Sequence, residues 1–200
     1  MATETALVPD EVIIGTSNGP GIWVAPVGTA APATASAVPA APWSTLGYLS
    51  EDGVTFSQST DSEAITPWQS RAAVRTIITK RELNLEFTML QFNEQNVALY
   101  FSSEEPASGD SWDLEVRSDA PAKNYAILVD VKDGDNTVRY HFPRATLSEA
   151  GDMEVTKSGA IGLPVTMAAQ DDNGVLANIQ FAGKTTAPAA AKATTTATTA

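Results

Sequence analysis

The chain has 200 residues, 43% hydrophobic and 18% charged, with 24 acids against 12 bases and a formal charge of −12. It contains no cysteine and a single histidine, His141, which excludes disulfides, thiolate metal sites, cysteine nucleophiles and a histidine-rich metal centre. A chain of this length supports one domain with its own core, and its acidity argues against a nucleic-acid-binding face.

In chain order, residues 1–20 form an arm. It carries the apolar run Val12-Ile13-Ile14 and leads into a hinge rich in turn residues at 15–21. No base and no long apolar run occur in this arm, so no export signal is expected. Residues 22–27 read as a strand. Residues 28–42 are Ala/Pro/Thr-rich, and Pro32, Pro39 and Pro42 each lack a backbone donor, so the segment is an extended loop. It offers little to bury within its own subunit and is expected to touch a neighbouring one.

Residues 46–50 and 54–58 read as a hairpin around Asp52-Gly53, and 64–69 as a short strand. The strongest signal spans 72–91. There Leu83, Leu85, Phe87 and Met89 alternate with Glu82, Asn84, Glu86 and Thr88, the period of a long strand with one face on a core. Asn93 caps a short helix reaching about Phe101, with Val97 and Phe101 on its buried face. Strands are predicted at 112–117, 125–132, 137–142 and 145–155. Ile161, Leu163, Val165 and Met167 mark another, and a last one covers 175–181. Turns are expected at 133–136 and at Asp172-Asn173-Gly174. Short strands between regular turn signals predict a mainly β fold, a sandwich or barrel with one short flanking α-helix. Residues 184–200 hold no aromatic or large aliphatic side chain and are expected to be a disordered tail. The β domain is therefore placed at 21–183.

Enzymatic and metal sites find little support. The acidic turns starting at Asp133 and Asp171 lack the glycine and terminal acid of a calcium loop. The glycines at 15, 19 and 21 lack the Gly-Lys-Ser/Thr ending of a phosphate loop. His141 shares a strand face with Arg139, which reads as polar surface. The acid pairs Glu104/Glu105 and Asp113/Glu115 read as surface acids rather than a glycosidase pair. Trp23, Trp43, Trp68 and Trp112 read as core or interface anchors. No catalytic residue, cofactor or metal is predicted.

The run from Gly21 to Thr29, the Pro/Ala-rich loop, and the run from Trp43 to Val54 resemble the start of siphophage major tail proteins, the tail tube proteins of long-tailed phages. Trp68-Gln69, Val74-Arg75-Thr76, residues 82–91 and 93–101 continue that resemblance in order, in the form seen in phages of actinobacteria. The resemblance implies a tail tube β-fold and a structural protein of the virion tail. Six copies would close into rings, and the rings would stack into a tube for genome ejection. It implies as partners further copies of the chain, the tape measure protein inside the tube, and tail tip and tail terminator proteins. DNA would pass without specific binding, no membrane insertion would occur, and assembly would take place in the host cytoplasm.

No Lys or Arg precedes Arg71, and Arg71, Arg75, Lys80 and Arg81 lie between acidic stretches. These four, with Val12, Ile13, Ile14, Trp23 and Trp43, are the expected assembly contacts. Glu82, Glu86, Asp113 and Glu115 are the acids expected to face the lumen, because they lie on strands with polar faces. The competing reading is a secreted β-sandwich binding module, for instance one that takes a glycan. It calls for an export signal and often a disulfide.

Overall fold

The structure, a computed structural model, describes residues 13, 15, 21–69, 71–157 and 159–183. The expectations for Val12, Ile14 and the 184–200 tail lie outside these residues. The elements are β1 (Ile22–Pro26), β2 (Ser44–Thr45), β3 (Leu49–Ile65), β4 (Arg75–Met89), α1 (Glu94–Tyr100), β5 (Asn124–Asp133), β6 (Asn136–Ala150), β7 (Leu163–Ala169) and β8 (Asn178–Ala182). Among the described residues the fold is mainly β with one short helix, as the sequence predicts.

The strands form one antiparallel sheet in the order β2-β1-β5-β6-β7-β4-β3, with β8 added to β6. β6 joins the sheet's two wings. Its residues Thr137–His141 pair with β8, and Ala145–Ala150 pair with β7. Both wings contribute to one core, which includes Ile22, Ile127 and Val129 from one wing and Leu85, Phe87, Val165 and Met167 from the other. The helix adds Val97 and Leu99.

The alternating stretch of β4 behaves as its period requires, with Leu85, Phe87 and Met89 buried and Glu86 exposed. Asn93 caps α1 by accepting from the Asn96 amide at 2.8 Å. Val97 is buried, but Phe101 is the C-cap and is exposed, because the helix ends one residue earlier. The turn at 172–174 forms with Asn173 at φ 55° and Gly174 at φ 86°, the left-handed pair that Asn-Gly supplies cheaply. An isolated bridge between Asp172 and Val175 closes it.

Four sequence expectations are corrected. No hairpin forms at Asp52-Gly53, where β3 runs through. Gly53, at φ 71°, sits in a register shift between Leu49 and Val54, so the glycine makes a bulge rather than a turn. The predicted strand at 64–69 is only the end of β3. Residues 137–142 and 145–150 form one strand, because Pro143 lies where β6 changes partner and costs the ladder nothing. Residues 112–117 form no strand. Trp112 and Leu114 do pack against the core, but alternation reports which side chains are buried, not whether a ladder partner exists.

A fifth correction concerns residues 28–42, which fold back as a strap over their own sheet. Trp43 Nε1 donates to the Ala30 carbonyl at 3.1 Å, Gln180 Nε2 to Pro32 at 3.2 Å, and an Arg139 nitrogen to Thr34 at 3.1 Å. His141 bonds to the backbone at Thr29, and the strap's own Ala35 is buried. Arg139 and His141 are therefore not surface, with Arg139 1% exposed. The Arg139 guanidinium grips both oxygens of Asp130, at 2.6 and 2.7 Å.

Candidate assembly surface

The wing built from β3, β4, β7 and the end of β6 has two unlike faces. Register fixes which residues share each, since directly paired residues point the same way. Phe56, Leu85, Met167 and Leu147 form one row across the four strands, on the core side. The next row is Thr55, Glu86, Thr166 and Glu149, on the opposite side. Ser57 opposite Asn84, and Ser59 opposite Glu82, extend this polar face. Ser148 ties β6 to β7 through the Thr166 carbonyl at 2.9 Å. The face thus combines small hydroxyl side chains with carboxylates.

Glu82 and Glu86 lie on this face together. Asp113 and Glu115 do not join them. They sit on the irregular 112–117 segment, lining a separate hollow of about 560 Å³ with Glu104, Arg117 and Lys123. The acid that joins Glu82 and Glu86 is Glu149. Simple parity puts it on the buried side with Leu147, but a bulge between the two turns it toward Thr166. Only the register carries that information.

β4 pairs with β7 only from Asn84 to Met89. From there outward, β3 and β4 continue as a two-stranded ribbon with both faces exposed. Ile65, Val74, Ile77 and Ile78 are exposed near its end, and Trp68 in the turn is 99% exposed. A two-stranded ribbon has little stability of its own in water, and its exposed apolar end is left uncovered within the subunit.

Of the four bases, Arg71 is exposed in the connecting segment, while Arg75 and Arg81 are exposed on the ribbon. Lys80 is ion-paired with Glu82 of its own subunit at 2.5 Å. That contact holds the Lys80 ammonium above its ordinary value and the Glu82 carboxyl below its own. Trp23 and Trp43 pack within the subunit against Ala25, Ala126 and Leu128. Trp43 is 7% exposed and so is spent inside the subunit; the fully exposed tryptophan is Trp68. Ile13 is partly buried, and Gly15 lies beside Val131 of β5.

The sequence matches a family described as phage tail tube protein, over residues 5–195. The chain belongs to the phage tail tube protein family. This tail tube protein is therefore a structural component of the virion tail and not an enzyme. No curated protein matches it. Among solved structures it is similar to a chain from the virion of a native gene transfer agent particle, at 10% identity and a TM-score of 0.42, covering 84% of this chain and 100% of that one. Among the described residues no helix is long and apolar enough to cross a membrane.

Proposed function

We propose that six copies of this tail tube protein close into a ring and that rings stack into the tube of a siphophage tail. The polar face of the β3-β4-β7-β6 wing would line a channel for the genome. The observation that carries this reading is the row Thr55, Glu86, Thr166 and Glu149, set on strands whose other face is core. β3 ends the sheet path, so among the described residues its outer edge is unpaired over a strand of 17 residues. Closing a barrel hides such an edge, and a repeated head-to-tail contact closes a ring. The exposed apolar ribbon gives the subunit something to dock.

A lining of hydroxyls and carboxylates suits a conduit. Each base that neutralises a phosphate releases counterions and adds affinity, so a basic lining would hold DNA. An acidic one repels it within about a Debye length, ~8 Å at physiological salt. In this reading the tape measure protein occupies the channel during assembly, tip and terminator proteins bound the tube's two ends, and the tube forms in the host cytoplasm. Concentrated protein examined by negative-stain microscopy tests the proposal. Tubes built of rings support it, and a strict monomer at every concentration overturns it.

A further inference from the structure

The strap at 28–42 crosses a sheet face that holds two nitrogen bases two residues apart, Arg139 and His141 of β6. His141 is 7% exposed. Its ring bonds to the Thr29 backbone and meets the Trp43 ring edge-on, at 6.0 Å and 76°. Its Nε2 is buried and has no hydrogen-bond partner among the described residues. The charged groups facing the imidazole are Arg139 on its own strand and Asp172 in the β7–β8 connection. β5 sets Leu128 opposite it and β8 sets Asn178, and the strap contains no titratable side chain. The Asp130 carboxylate is committed to Arg139 through both oxygens.

We propose that the strap is a latch worked by protonation of His141: the neutral imidazole holds it shut, and the imidazolium lifts it from the apolar patch of Ala25, Trp43, Ala126 and Leu128. A neutral imidazole has one N–H, which serves Thr29. A second proton must go to the buried Nε2, placing a cation out of water and beside a guanidinium. The strap is the element able to yield. Its own backbone bonds are short-range turns, such as Thr29 to Pro26 and Ala37 to Thr34, and the rest of its hold comes from side chains of the sheet.

Burial first, and then the Arg139 charge, keep His141 below its ordinary 6.5, with Asp172 pulling the other way. The lifted form binds the proton more readily. The shut form is therefore fully favoured above the ordinary value and loses ground as pH falls below it. Its closing equilibrium drops about tenfold per pH unit until the depressed value is reached.

Hydrogen exchange of the whole chain at about pH 7.5 and about pH 5, corrected for intrinsic rate, tests the latch. The latch predicts that amides of residues 29–43 lose several-fold or more of their protection at the lower pH while those of β7 do not. His141→Gln, which keeps an N–H donor and cannot take the proton, removes the change. Unaltered strap protection in the wild type, or the same loss in His141→Gln, overturns the proposal. If that variant does not fold, the chain's one histidine gives an unambiguous imidazole signal by NMR. A midpoint below 6.5 that moves together with strap resonances supports the latch. A midpoint at the ordinary value with a static strap overturns it.

Discussion

Arg139 is a buried cation with a complete set of partners, two oxygens of Asp130 and the carbonyl of Thr34. Removing one member of such a pair leaves the other charge stranded. Arg139→Leu should therefore cost about 3–5 kcal/mol in urea unfolding, and Arg139→Leu with Asp130→Leu should recover most of it. Equal losses in the single and double variants would show that the pair is not what Arg139 contributes. Asn93 offers a smaller, independent check. Its side chain serves the Asn96 amide at the start of α1, so Asn93→Ala should lower stability by about 1 kcal/mol. The capping role is legible in the sequence, because a helix start needs only local residues. The Arg139 cluster is not, because Thr34 and Arg139 are 105 residues apart and alternation at 137–142 says only that Arg139 and His141 share a face.

At the scale of elements, the proposed assembly gives the β3–β4 ribbon the docking role, whereas the strap serves the stability of the subunit. Trp68 touches almost nothing in its own subunit. Trp68→Ser should change unfolding free energy by less than about 0.5 kcal/mol, the range of ordinary surface substitutions, yet suppress tube formation as seen by microscopy or light scattering. Normal tubes from that variant would remove the ribbon end from the interface. The strap behaves oppositely. Replacing residues 31–41 with a short Gly/Ser link should destabilise the subunit itself, because it removes Ala35 from the core and the acceptors for Gln180 and Arg139. Composition suggests the reverse, a loop with nothing to bury. Its partners are side chains of distant strands, and a backbone carbonyl leaves no trace in the sequence. β4, by contrast, is legible throughout its buried half, because one face meets the core wherever the strand is placed.

For the whole molecule, in the proposed tube the charge of −12 per subunit matters only where it faces the channel. Glu82 and Glu86 are recognisable beforehand as acids alternating with core residues. Glu149 is not, because a bulge reverses its face, and the strand expected to carry Asp113 and Glu115 does not form. Wild-type tubes should fail to retard duplex DNA in a gel even at about 10 mM salt, while tubes carrying Glu86→Lys and Glu149→Lys should retard it in a salt-sensitive way. Tight, salt-sensitive binding by wild-type tubes would contradict a repulsive lining. The most direct test of the account is a cryo-EM reconstruction of assembled protein. It predicts six subunits per ring, with Thr55, Glu86, Thr166 and Glu149 facing the axis and β3 paired with a strand of the next subunit. A tube whose lumen is lined by another face, with this row turned outward, would contradict it.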